Sequence, residues 1–211
     1  MELYFSPLAC SLASRIALYE AGAAAAFVEV DPNSKRTLSG IDYFTINPLG
    51  LVPALRIDDG DLLFENAAIL QFIAGQAPRA ALAPEGGRAE ARLQQWLSFI
   101  GTELHKALFI PLFDKSLPDA VRGKTIENGD KRLKYLNDHL ASREYLLGSF
   151  SVADAYLVTV LNWHIATPVD LKKWPAIAAY YERVKSRPAV ARAVKEEFAL
   201  YAEEQKRHKA Q

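Results

Sequence analysis

The chain has 211 residues, half of them hydrophobic, which is enough for one large domain or two small ones. Lysine plus arginine equals aspartate plus glutamate at 25 each, so no net charge marks it for nucleic acid or an acidic membrane surface. A single cysteine excludes an internal disulfide framework and fits a reducing compartment.

The first residues lack a basic segment followed by a long apolar core, and no apolar run approaches the roughly 20 residues that span a bilayer. The expectation is a soluble, cytoplasmic protein with neither nucleic acid nor membrane as a partner. Glu2 to Phe5 reads as a strand. Leu12 to Ala21 carries apolar residues at helical spacing and stops before Gly22. Ala26 to Asp31 alternates like a strand. Val52 to Ile57 and Asp61 to Phe64 flank Asp58-Asp59-Gly60, a hairpin signal, and Ala67 to Ala74 returns to helix. The order β-α-β, a loose middle, then β-β-α describes a compact α/β domain over residues 1–80. Gly and Pro crowd residues 75–87, and the linker is placed at 81–87.

From 88 to 211 nothing resembles a strand. Helices are expected over Arg88 to Phe109 and Lys124 to Ser142. Ser151-Val152-Ala153-Asp154 looks like a capping box opening an apolar helix to Ile165. Trp174-Pro175 precedes another helix, Arg187-Pro188 breaks it, and a short last helix runs from Val190 to about Glu197. The polar tail from Glu203 is expected to fray.

Three segments carry candidate chemistry. Cys10 falls at a strand-to-helix turn, where outward N–H groups and the helix dipole favour an anion. An ordinary thiol, with a pKa of ~8.5, is only roughly 7% thiolate near pH 7.4, and a helix N-terminus can raise that fraction. A small buried core residue is the plain alternative. Pro53 opens an internal strand, where it cannot donate to the ladder. A cis Val52–Pro53 bond would turn Val52's backbone outward to pair with a peptide-like ligand, while an ordinary trans proline is the commoner arrangement. Glu65-Asn66 lies between strand and helix. Asn66 can cap the helix, the nearby N–H groups can hold a carboxylate, and Glu65 can hold an ammonium group; capping alone is the simpler reading. Farther on, Ser98, Thr102 and His105 share one side of a helix whose other side is apolar. That side is either a cleft wall or a solvated face. The chain has no Walker loop, Gly-x-Gly-x-x-Gly, His-Glu-x-x-His, Cys-x-x-Cys or zinc-ligand spacing, so no metal is expected.

Taken in order, several segments closely resemble the cytosolic glutathione transferases, and among them the bacterial beta class. They are Tyr4-Phe5-Ser6-Pro7-Leu8-Ala9-Cys10-Ser11, Asp42-Tyr43-Phe44 with Asn47-Pro48, Val52-Pro53-Ala54-Leu55 and Leu63-Phe64-Glu65-Asn66. Trp96 to Ile100, Thr102 to Lys106 and Phe150 to Tyr156 continue the likeness. The resemblance implies an α/β thioredoxin-like N-terminal domain plus an all-α C-terminal helical domain, the glutathione transferase fold, usually as a homodimer. It implies glutathione as cosubstrate and a hydrophobic electrophile as the second substrate. Cys10 would lie beside the glutathione sulfur and can form a mixed disulfide with it. Val52 would make the antiparallel backbone pair, with Pro53 cis. Glu65 and Asn66 would bind the γ-glutamyl end, and Lys35 would reach the glycyl carboxylate. Ser98, Thr102, His105 and Lys106 match the helix that closes the site, with His105 polarising a thiol, a water or the electrophile. Many relatives carry Ser where this chain has Asn66 and Asn where it has Ser98. Leu8, Phe109, Ile110, Phe113 and Trp163 would line the electrophile site. The leading expectation is conjugation of glutathione to electrophiles. A thiol-disulfide reductase or peroxidase with Cys10 as nucleophile, and a non-catalytic binding or interaction protein, are the alternatives.

Overall fold

The structure is a computed structural model and describes residues 1–210. Along the chain run β1 (Glu2–Phe5), α1 (Leu12–Glu20), β2 (Ala26–Glu29), β3 (Ala54–Arg56), β4 (Leu62–Phe64) and α2 (Asn66–Gln76). Then come α3 (Gly87–Phe99), a π-helical segment (Ile100–Phe109), α4 (Ile110–Phe113), α5 (Asp119–Leu140), α6 (Val152–Asn162), α7 (Pro175–Lys185) and α8 (Pro188–Lys209). Two compact units divide them: Met1–Leu82 together with the segment from Arg187 onward, and Ala83–Ser186.

In the first unit the sheet order is β2-β1-β3-β4. β1 pairs parallel with β2 and antiparallel with β3, and β3 pairs antiparallel with β4. Both faces of the sheet are covered, so β1 is apolar on both sides rather than alternating. Tyr4 packs with Val30, Tyr43, Ile46 and Ala54 on one face. On the other, Phe5 meets Phe27 edge-on at 6.3 Å. The Arg15 guanidinium, from α1, lies 4.3 and 4.0 Å from the centres of those two rings.

The end of the chain departs from expectation. α8 has 22 residues and runs through the segment expected to fray, with only Gln211 outside the described residues. Several charges at and near it pair with residues far upstream. Arg187 bonds Glu20 at 2.8 Å through Nε and Nη2, Arg207 pairs with Glu29, and His208 Nε2 lies 2.5 Å from Asp31. Glu197 is fully buried; its Oε1 accepts from Arg15 Nε at 2.9 Å and its Oε2 from the Leu8 N–H at 2.7 Å. Burial pushes the Glu197 carboxyl up, against the pull of Arg15 and the Leu8 N–H. A composition reading misses this because the partners lie some 180 residues upstream: 178 for Arg207 and 182 for Glu197.

The second unit is helical. Every residue of α6 is buried, so its few polar side chains need partners inside the protein. Ser151 and Asp154 form the expected capping box. Asp154 also accepts from the Leu146 N–H at 3.0 Å and the Tyr180 hydroxyl at 2.8 Å, and burial raises its carboxyl pKa. α3 and α5 share an aromatic seam in which Trp96 stacks on Tyr135 at 5.8 Å. Gly129 of α5 lets the π-helical segment approach closely, since a Cβ there would sit 2.4 Å from a Leu108 methyl. No helix among the described residues is long and apolar enough to cross a membrane.

Replacing Glu197 with Ala removes the buried carboxylate that meets the Arg15 guanidinium and the Leu8 N–H, while Arg15 keeps Glu196 at 3.3 Å. The expected loss is about 3–5 kcal/mol in urea unfolding. Lys206→Ala breaks only the exposed pair with Glu203 and is expected to move stability by less than about 0.5 kcal/mol.

Candidate functional site

Cys10 lies in a turn held by its own backbone and by side chains from elsewhere. The Ser6 hydroxyl donates to Val30 C=O at 2.6 Å. Ser11 Oγ accepts from the Ser6 N–H at 3.3 Å and donates to the Ser6 C=O at 3.2 Å. Leu8 takes a left-handed φ of 59°. Ser11 is the N-cap of α1, so half-buried Cys10 stands just outside the helix's first turn, as its sequence position implied. Its thiol donates to the Val52 C=O at 3.2 Å. The Val52–Pro53 bond is cis.

Asn66 does not cap α2. Glu65 occupies the cap position with φ 67°, and Asn66 is the first helical residue. Its side chain is buried and turned toward α1, where Nδ2 donates to the Cys10 C=O at 2.9 Å and Oδ1 accepts from Ser14 Oγ at 2.9 Å. A carbonyl beside a buried turn needs a donor, and an amide supplies donor and acceptor together. Lys35 has φ 55° and donates from Nζ to the Gly50 C=O at 3.1 Å, two residues before Val52. Tyr43 Oη and Asn47 Nδ2 both donate to the Leu51 C=O, at 3.0 and 2.7 Å, and fix the chain entering Val52. Leu8, Lys35 and Glu65 are three of the four non-glycine residues with positive φ among those described. Such backbone costs about 1–3 kcal/mol each and persists where the surroundings impose it, characteristically at functional sites.

In the helical unit the expected polar side is not preserved. Ser98, Thr102 and Lys106 are exposed, but His105 is buried. The helix is α through Phe99 and π from Ile100 to Phe109, and the wider π turn rotates His105 away from Thr102 into the core. His105 Nδ1 lies 2.8 Å from the Tyr156 hydroxyl, and its ring centre lies 4.9 Å from that of Trp163. Burial, aided by the neighbouring Lys106 charge, lowers its pKa to about 4, so the ring is neutral at neutral pH. Phe109 and Phe113 both pack edge-on to Trp163, at 5.8 and 5.6 Å, while Ile110 is exposed.

Thus Cys10, Val52, Pro53 and Asn66 come together directly in the first unit, with Lys35 tied to the same loop and Glu65 exposed beside Asn66. Sequence reasoning missed Ser14, Glu197 and Tyr156. For Tyr156 there was a signal, since a phenol in a helix buried along its whole length needs a polar partner. Among the described residues no group of three or more His, Cys, Asp or Glu is placed to hold a metal ion.

A four-stranded mixed sheet carrying a cysteine turn, followed by a helical unit, defines a transferase fold. Residues 2–75 match the family model for the glutathione S-transferase N-terminal domain, and residues 102–188 match that for the C-terminal domain. The chain belongs to the glutathione S-transferase family. It is 42% identical over 199 residues to glutathione S-transferase GstA of Escherichia coli O157:H7, covering 93% of this chain and 98% of the relative. Glutathione S-transferase GST-4.5 of Xanthomonas campestris pv. campestris is 34% identical over the same shares of the two chains. The solved ternary complex of BphK, a bacterial glutathione S-transferase, superposes with TM-score 0.91 at 45% identity, over 93% of this chain and 99% of that one. A beta-class enzyme of Sphingomonas chungbukensis superposes at 0.89 with 43% identity, over 93% and 98%. The expected fold class and family are borne out.

His105 also sets an acid limit. Its folded pKa of about 4 lies below the value of ~6.5 expected in the unfolded chain, so between these pH values the unfolded state binds the extra proton. Its contribution to stability is present above ~6.5 and falls away as pH drops to about 4, by on the order of 3 kcal/mol. Denaturant unfolding at pH 7 and pH 4.5 should show this loss in the wild type and its absence from the difference in His105→Asn.

Proposed function

We propose that this transferase conjugates glutathione to hydrophobic electrophiles. The observation that carries the reading is the convergence of Cys10, Val52 and Asn66 in one hydrogen-bonded turn beside the N-terminus of α2. Residues 1–80 hold glutathione. Val52's backbone pairs with the tripeptide, and Pro53 sets where that pairing begins. Glu65 takes the ammonium group, and N–H groups at the start of α2 take the adjacent carboxylate. Asn66 acts through Cys10, holding the turn rather than the ligand. Lys35 reaches the glycyl carboxylate, exchanging a neutral carbonyl partner for a charged one. The glutathione sulfur attacks the electrophilic carbon, and the displaced leaving group carries away the bonding pair. His105 is the helical unit's candidate for polarising a thiol, a water or the electrophile. Ser98, Thr102 and Lys106 are the helical unit's exposed candidates for binding glutathione. Phe109, Phe113 and Trp163 form an apolar wall for the electrophile, and no metal takes part.

On this reading Cys10 positions the cosubstrate and is not the nucleophile. Cys10→Ala should retain most conjugation activity and saturable glutathione binding by calorimetry, while any reduction of glutathionyl disulfides is lost. Loss of conjugation and binding together, with a glutathione adduct on the wild type alone by mass spectrometry, favours the thiol-disulfide alternative. Absence of saturable binding in the wild type favours a non-catalytic interaction protein.

We also propose a homodimer, in a cytoplasmic setting. Leu38, Ile41, Phe44, Leu49 and Leu51 are all exposed on the segment between β2 and β3, with Leu49 at 70%. A second copy covering this run removes an apolar surface that monomers seldom show. Phe44→Glu should shift sedimentation velocity from dimer to monomer.

A further inference from the structure

The last turn of α8 has no role in the reading above, yet it ends against the turn that carries Lys35. Both belong to the first unit. Asp31 organises that turn. Its Oδ1 accepts from the Ser34 N–H at 2.7 Å, the Asn33 N–H at 3.0 Å and the Ser34 hydroxyl at 3.0 Å. Its backbone C=O accepts from the Lys35 N–H at 3.1 Å, and its N–H donates to the Arg36 C=O at 2.8 Å. Lys35 is thereby held at φ 55°, an uncommon left-handed conformation for a residue other than glycine.

The second carboxylate oxygen of Asp31 is met by α8. His208 Nε2 lies 2.5 Å from Oδ2, with the two side chains 19% and 15% exposed, so the contact is shielded from water. Burial pulls the Asp31 carboxyl up, but the Ser34 N–H, His208, the Ser34 hydroxyl and the Asn33 N–H outweigh it and hold its pKa down at about 2. Asp31 is therefore an acceptor only, and His208 Nε2 carries the proton and donates. Arg207, paired with buried Glu29 at the end of β2, fixes the helix end from which His208 reaches. Without the donor at Oδ2 the carboxylate gains freedom to rotate, and the bonds that shape the turn lose their fixed acceptor. We propose that His208 is a positioning residue for glutathione binding: by clamping Asp31 it holds the turn that presents the Lys35 ammonium group to the glycyl carboxylate. The proposal rests on the reading of Lys35 as the group that meets that carboxylate. His208 itself touches no substrate. A shaped turn keeps Lys35 Nζ beside the Gly50 C=O, 3.1 Å away, before the ligand arrives, so less freedom is lost on binding. The effect is confined to the end of the tripeptide that Lys35 meets.

The test compares glutathione with its glycyl ethyl ester, which lacks the charge that Lys35 reads. Kd is measured by calorimetry for both ligands, beside hydrogen exchange of the turn amides. His208→Ala should weaken glutathione about three- to tenfold, the scale of one hydrogen bond, while the ester changes by less than about twofold. Its kcat at saturating glutathione should stay within about twofold of wild type. The Ser34 and Lys35 amides should exchange faster, and those of β1 should not. His208→Gln, which keeps an amide N–H near the Nε2 position, should restore most of the affinity. Lys35→Ala should abolish the preference for glutathione over the ester, and adding His208→Ala should change little more. Lys206→Ala, on the same turn of α8, is the control and should leave both ligands unaffected. Equal losses for both ligands in His208→Ala overturn the proposal, because a loosened unit rather than a misplaced Lys35 explains them. Unchanged affinity for both overturns it, as does unchanged exchange at Ser34 and Lys35. If Lys35→Ala leaves the preference intact, the proposal falls together with the reading of Lys35. If only His208→Ala leaves it intact, that reading stands and the clamp alone fails.

Discussion

Leu8 stands in a left-handed conformation with its N–H turned into the protein interior, and Glu197 meets it from the far end of the chain. That one hydrogen bond sets conditions for much else. A carboxylate buried this deeply needs a cation, which Arg15 supplies from α1. Arg15 needs a surface that tolerates its desolvated face, which Phe5 and Phe27 supply from the sheet. The Cys10 carbonyl, two residues beyond Leu8, is met in turn by Asn66 and through it by Ser14. The cysteine turn is thus braced from α8, from α1 and from the start of α2. Its thiol is directed at Val52 by groups that themselves do no chemistry.

The helical unit solves a comparable problem differently. There a polar ring is carried into an apolar core by a change of helical pitch, and α6 packs around it with every residue buried. His105 keeps its polarity without charge because burial, aided by the Lys106 charge, penalises the imidazolium. The same helix ends against Trp163, Phe109 and Phe113, so a neutral polar atom and an aromatic wall share one neighbourhood.

The strands, the hairpin and the capping box were legible because each rests on a local signal: period-two alternation, Asp-Gly in a turn, Ser151 three residues before Asp154. Cys10 and Val52 were legible because a thiol at a strand-to-helix turn and a proline opening a strand are locally odd. What stayed hidden was long-range or depended on pitch. Nothing near Glu203 to Lys209 says that Glu29 and Asp31 await its charges. The role of Asn66 was misplaced for the same reason, since the Cys10 carbonyl and Ser14 of α1 outcompete the local cap. Assuming 3.6 residues per turn put His105 beside Thr102, and the π segment undid that alignment.

The fold-back of α8 bears on the order in which the molecule can be made. Residues 1–82 emerge from a ribosome long before Arg187, and the whole helical unit separates them in synthesis. A nascent first unit can pair its strands, since those contacts are short in sequence. It cannot form the Glu197 contacts to Arg15 and the Leu8 N–H, because they span 182 and 189 residues respectively. The N-terminal unit therefore starts folding first and finishes last, and the helical unit can complete itself in between. Until then the face of α1 meant for α8 stays uncovered, so the nascent chain carries an aggregation hazard in the part that was translated earliest.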